Sequence, residues 1–227
     1  MNNHNDFILS SITDILKEVV SASAGIGSGI ETYPLCDYIM QSVFLKMTGF
    51  QEQKMKCICW ELATNDYEYR RVLLADEDKL GECSTFKAKN MIYKRLLAKI
   101  DLLDNKSKRS ILLETFSDII KTFLNTNLSI WAQQSFNWFM KHHKNFIKIK
   151  HFANGKNLLE DSLKYDLLYN HRNRCAHNLQ SYQQNLPTLK TLANGNYQYE
   201  NYFVRFAILI LIDKIFIELY KNYLDTL

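Results

Sequence analysis

Apolar residues recur along this chain at three- and four-residue intervals, the spacing that turns one face of an α-helix toward a core, and no strong strand run interrupts the pattern. Between residues 6 and 20, Phe7, Ile8, Ile12, Ile15, Leu16, Val19 and Val20 share such a face, with Asn5 or Asp6 as the cap of one helix. The helix runs into Ala24-Gly25-Ile26-Gly27-Ser28-Gly29, which reads as a helix-to-helix connector. It is no phosphate loop, because no strand precedes it and no Lys-Ser/Thr follows. Pro34 suits the first turn of a second helix, from 34 to about 47. A third extends from about 51 to 63 with Met55, Ile58, Cys59 and Leu62 inward, and the polar, acidic residues 65–78 read as a loop or short helix.

Ser84-Thr85 opens a basic helix to about 104, and Ser107 or Ser110 opens another to about 124. Asn125-Thr126-Asn127 interrupts the pattern before an aromatic helix holding Leu128, Trp131, Phe136, Trp138, Phe139, Phe146 and Ile147. Phe152-Ala153-Asn154-Gly155-Lys156-Asn157 is the clearest internal stop. Helix is expected again from 158 to about 179, then a polar loop over 180–196 with Pro187 and Gly195 inside. The last helix, about 200 to 223, is apolar nearly all round and so belongs in the core or in an interface. There are no repeats. The expectation is an all-α bundle, divided into a helical N-terminal part over 1–125, which the pattern also allows to be continuous with the rest, and a second helical region over 126–227.

Composition agrees and adds exclusions. With 47% hydrophobic and 13% aromatic residues the chain is no disordered segment, and with 7 Gly and 2 Pro it is neither collagen-like nor rich in the turns an all-β domain needs. Residues 1–6 carry no Lys or Arg and one acid, unlike the start of a signal peptide. The most apolar run, 203–217, is broken by Arg205 and Asp213, short of the roughly 18–20 apolar residues of a membrane span. Five cysteines at no framework spacing read as reduced thiols, so a cytoplasmic location and no membrane partner are expected. A formal charge of +4 leans mildly toward anionic partners. Lys87, Lys89, Lys94, Arg95 and Lys99, with Lys106, Lys108 and Arg109 after them, form one basic cluster. Lys141, His142, His143, Lys144, Lys148, Lys150 and His151 form another; each is a phosphate-facing strip or a solvated helix face.

Most chemical constellations fail. Cys57-Ile58-Cys59 lacks a second Cys or His pair at zinc spacing, His142-His143 has no carboxylate at ligand spacing, and neither a metal nor a cofactor is called for. What remains is Tyr169-Asn170-His171-Arg172-Asn173-Arg174-Cys175-Ala176-His177-Asn178, which contains Arg-Asn-x3-His. Seven arginines and six histidines make about 0.2 chance occurrences of Arg-x4-His, and requiring Asn after the Arg lowers this to about 0.02. On a helix, Asp166, Asn170, Asn173 and His177 fall on one stripe, so Asn173 can orient His177 from one turn away. Arg172 projects from the side of Leu168, Cys175 and Leu179, where it is costly to bury unless it meets an anion or a partner chain. A histidine that exchanges protons near neutral pH and an arginine that forks onto a phosphate are what RNA cleavage by the RNA's own 2′-OH requires.

The motif resembles that of the HEPN superfamily, all-α domains whose ribonuclease members carry Arg, four to six residues, then His, often with a polar residue after the Arg. The likeness covers roughly the last 70–100 residues. It implies a metal-independent endoribonuclease of a toxin or phage-defence system, leaving a 2′,3′-cyclic phosphate and a 5′-OH. Arg172, Asn173 and His177 would be its catalytic residues, with His171, Arg174 and Asn170 as substrate contacts. It also implies a homodimer, because two motifs face each other across one cleft, with the apolar last helix as a candidate contact, and an antitoxin or regulatory partner. One toxin branch carries Tyr two residues after the motif His; here that residue is Leu179 and the nearest Tyr is Tyr182. Three other readings compete: a structural Arg and a His closing a helix C-terminus; a non-catalytic RNA- or protein-binding subunit docking through the basic cluster from Lys87 to Arg109; and a metal-dependent hydrolase using His142, His143 and His151.

Overall fold

A helix apolar on every side has no face to give to water, so the rest of a small domain must wrap it. The computed structural model shows this arrangement. It describes residues 3–27, 29–75, 83–161, 163–177 and 201–227, with ten α-helices and no strand among them. They are α1 (Asn3–Leu9), α2 (Ile12–Ala22), α3 (Tyr33–Asn65), α4 (Tyr67–Ala75), α5 (Phe86–Leu97), α6 (Asn105–Phe123), α7 (Asn127–Trp131), α8 (Gln133–Phe146), α9 (Leu163–His177) and α10 (Tyr202–Leu224). The α10 helix is the axis, with Phe203, Phe206, Ile210, Ile212, Phe216 and Leu219 all buried, and α6, α3, α8, α1, α2 and α5 close around it. Asn201 starts it, its Oδ1 accepting from Phe203 N at 2.9 Å while its Nδ2 donates to the Ser135 carbonyl at 2.8 Å. Residues from both sides of position 125 therefore share one core. Since its own chain encloses α10, that helix is not the dimer contact suggested above. No helix among the described residues is long and apolar enough to cross a membrane.

Two charged residues of α10, Arg205 and Asp213, are buried, and Asp213 explains a departure from the sequence pattern. Asp213 is fully buried; its Oδ1 accepts from Lys54 Nζ of α3 at 2.6 Å and its Oδ2 from the Ile12 amide at 3.0 Å. Lys54 Nζ also donates to the Ser10 carbonyl at 2.5 Å. Residues 6–20 were read as one helix, yet the chain breaks at Ser10-Ser11 into α1 and α2. The buried ion pair takes the backbone groups at the break, and Ser11 caps α2 through its side chain on Thr13 N at 3.2 Å.

Other boundaries moved for similar reasons. The two helices expected over 34–63 are one, α3, because Val43, Phe44, Met47, Gln51, Lys54, Met55, Ile58 and Leu62 form a single buried face passing Gly49. Gln51 and Lys54 disguised that face; each sends its polar end to α10, Gln51 Nε2 to the Leu209 carbonyl at 2.9 Å. The basic helix ends at Leu97, and Asp104, taken for its end, instead caps α6 on Ser107 N at 2.7 Å. The aromatic helix is two, broken at Ala132. Asn125 adopts φ 63°, the left-handed region an Asn tolerates, so the break expected there is real. Residues 158–161 are not helical: the Leu158 amide donates to Asn90 Oδ1 at 2.8 Å and its carbonyl accepts from Ala153 N at 2.7 Å, which consumes groups a helix would need. The loop expected over 180–196 lies outside the described residues.

Candidate functional site

The motif helix α9 buries Tyr165, Leu168, His171 and Cys175 and exposes Asp166, Asn170, Arg174 and Ala176. Arg172 and Asn173 lie at the margin, half-buried. His177 closes the helix, and its side chain is outside the described residues. The anion that Arg172 needs on this side comes from α3. Arg172 Nη2 lies 3.6 Å from Glu52 Oε2, and its Nη1 donates to Asn173 Oδ1 at 3.1 Å. The Arg172 and Glu52 side chains are 29% and 20% exposed, so solvent screens the pair to about 1 kcal/mol or less, weak enough for another anion to displace the carboxylate. Glu52 is held from its other side by Lys56 at 2.9 Å.

Beneath this pair lies a cation that the chain has withdrawn from water. Lys89 is 1% exposed, donates to the Cys83 carbonyl at 2.9 Å and lies 5.5 Å from the centre of the Tyr165 ring. Burial pushes its ammonium down to about 8, opposed by the Cys83 thiol and the Glu52 carboxylate, with Arg172 adding to the fall. The Tyr165 hydroxyl donates to the Ser84 carbonyl at 2.8 Å. Together, Glu52, Lys89, Tyr165 and Arg172 join α3, α5 and α9 in one electrostatic neighbourhood.

His171 has a different environment from the one expected of a substrate contact. It is 6% exposed, its Nε2 lies 3.0 Å from Tyr202 Oη and 3.3 Å from Cys175 Sγ, and its ring packs on Phe44. Burial, with Arg205 and Arg174 nearby, holds its pKa far below the ordinary 6.5, so the imidazole is neutral and serves the core rather than a phosphate. Burial likewise raises the Cys175 thiol, which keeps it protonated. Arg174 and Asn170, the other two expected substrate contacts, are exposed on the surface of α9.

The remaining candidates are dispersed. In the basic cluster Lys89 points inward, Lys99 pairs with Asp66 at 2.7 Å and Arg95 lies over the Tyr69 ring at 5.3 Å, while Lys87, Lys94 and Arg95 are exposed on α5. His143 is buried against Phe116 with Nδ1 on the Phe139 and Met140 carbonyls, and His142 stacks on Trp138. No group of three His, Cys, Asp or Glu side chains suited to a metal occurs among the described residues, which removes the support for a hydrolase built on His142, His143 and His151.

Glu52, Lys89 and Tyr165 were missed as site residues. Lys89 had a signal, since Ile92, Tyr93 and Leu96 follow it at i+3, i+4 and i+7 and place it on the buried face of α5. Glu52 had none, because nothing local ties it to a helix that starts over a hundred residues later. Comparison of the chain with family models, with curated proteins and with solved structures returned no match.

Proposed function

We propose that this chain is a HEPN-type, metal-independent endoribonuclease of a toxin or phage-defence system. RNA would be cleaved by attack of its 2′-OH at a site completed across a homodimer, with an antitoxin or regulatory protein as a further partner. The observation that carries this reading is Arg172: half-exposed at the margin of α9, braced by Asn173, and held to a carboxylate by a weak, displaceable pair. A phosphodiester offers the same guanidinium a bidentate partner. In this reading Arg172 takes the phosphate and the charge that develops on it. His177, at the helix end, transfers the proton, and Asn173 sets the direction of the guanidinium.

The test is incubation of RNA in EDTA with wild-type, Arg172→Ala and His177→Ala proteins, followed by analysis of the product ends. Cleavage by the wild type alone, leaving cyclic phosphate and 5′-OH ends, is the expected result. Equal cleavage by all three proteins refutes it. Salt-sensitive RNA binding without cleavage in any of them identifies a binding subunit instead.

A further inference from the structure

The cations of α5 are scattered, but the two basic clusters of the sequence meet where α6 begins and α8 ends. Phe123, at the end of α6, and Phe136, near the start of α8, both pack on Phe203, with ring centres 4.9 Å and 5.0 Å away. Phe116, two turns earlier on α6, meets His143, two turns later on α8, at 4.9 Å. The two helices are therefore antiparallel, and the turn Ile149–His151 that follows α8 packs on α6. Lys106 and Arg109 are exposed at the start of α6, beside the exposed Lys141, Lys144, Lys148 and Lys150 of the last turns of α8 and the segment after it. None of these six side chains is in an ion pair among the described residues. Asp104, the cap of α6, and Glu160, 3.9 Å from His151, border a surface that stays net positive.

Fold stability does not ask for this arrangement. Cations suit the negative pole at the end of α8, but Lys106 and Arg109 stand at the positive pole of α6, and the two groups repel each other. A polyanion relieves both strains. Trp138 and His142, stacked with ring centres 4.9 Å apart, share a stripe of α8 with Lys141 and set an aromatic platform beside the charges. Lys164, at the start of α9, donates to the Phe146 carbonyl at the end of α8 at 3.2 Å, so the surface adjoins the motif helix. Arg172 lies eight residues further on, about 12 Å along its axis.

We propose that this surface binds single-stranded RNA, with the lysines and Arg109 on successive phosphates and a base stacked on the Trp138–His142 pair. The charge selects a polyanion and the platform an unpaired strand; the choice of RNA over DNA rests on the reading of α9. The test is fluorescence anisotropy of a labelled 2′-O-methyl oligouridine with the full chain, between about 50 and 200 mM salt. That probe lacks the attacking hydroxyl, so binding is read apart from cleavage and a failure of either reading shows separately. The variant Arg109→Gln, Lys144→Gln, Lys148→Gln, Lys150→Gln is expected to bind more than about tenfold more weakly, its slope of log affinity on log salt shallower by about 3, at about 0.7 for each lost phosphate contact. Lys17→Gln, Lys46→Gln, Lys121→Gln, Lys221→Gln removes the same charge from exposed positions on other surfaces and should keep most of the affinity. Helical circular dichroism equal to wild type shows both variants folded. No binding by the wild type, unchanged affinity in the first variant, or an equal loss in both overturns the proposal. So does tighter binding of oligothymidine or duplex DNA, which assigns the surface to DNA, or capture by phosphatidylserine vesicles with the oligouridine left free.

Discussion

Lys54→Met removes the cation by which α3 holds α10 and the break between α1 and α2. Lys54 Nζ is fully buried between Asp213 Oδ1 at 2.6 Å and the Ser10 carbonyl at 2.5 Å, so a methionine fills the space but leaves Asp213 without its counter-charge and Ser10 without its donor. Burial already raises the Asp213 carboxyl, with Lys54 and the Ile12 amide opposing that rise. Breaking a buried pair by deleting one partner costs about 3–5 kcal/mol, a large share of the roughly 5–15 kcal/mol that holds a domain folded. Urea unfolding followed by helical circular dichroism, with wild type and variant fitted to a common m-value, reads the loss directly. Its pH dependence carries a second signature. In the variant the folded pKa of Asp213 exceeds its unfolded value, so the deficit shrinks as pH falls and the carboxyl protonates. The double variant Lys54→Met, Asp213→Leu should cost less than Lys54→Met alone, about 1–3 kcal/mol for the Ser10 and Ile12 backbone groups left unpaired. A loss below about 1 kcal/mol in Lys54→Met, or strict additivity in the double variant, refutes the reasoning. The pair also sets the register of α3 against α10, and with it the presentation of Glu52 to Arg172.

The other predictions concern α9. His171 stays neutral in the fold while in the unfolded chain it takes up a proton below its ordinary 6.5, so stability is fully present above that value and falls as the pH drops. Between about pH 7 and pH 5 the loss should be about 2 kcal/mol, read from urea midpoints, and His171→Gln should lack this slope. An equal slope in both proteins would show that the imidazole is not the source. Glu52→Gln removes the carboxylate from a partly exposed pair and should shift stability by less than about 1 kcal/mol. If Arg172 receives RNA phosphate, the same change should tighten RNA binding by up to about fivefold in a filter-binding assay, since a pair worth about 1 kcal/mol no longer competes. Unchanged or weaker binding would show that Glu52 is not a competing anion.

How much of the molecule was legible depended on how local each determinant was. Most helices could be read because an apolar face declares itself within two turns, although Gln51 and Lys54 disguised that of α3. The apolar circumference of α10 announced the axis, and the Asn125 break and the Thr85 position carried recognisable turn and cap chemistry, whereas the cap at Asp104 was mistaken for a helix end. The Arg172–His177 spacing and the need of Arg172 for an anion were legible for the same reason. The identity of that anion was not, because Glu52 reaches Arg172 only once α3 and α9 meet. The split between α1 and α2 was equally hidden: it answers to Lys54 and Asp213, far away in the chain, whose burial is tolerable only as a pair. His171 looked like a flank of the motif, and only the approach of Tyr202 and Phe44 made it a core residue. What the sequence by itself determined was which residues coil into helices and which side of each avoids water, since backbone propensity and apolar periodicity act over a few residues. What only the tertiary structure decided was which charges meet, because a buried polar group takes its partner from whichever element packs beside it.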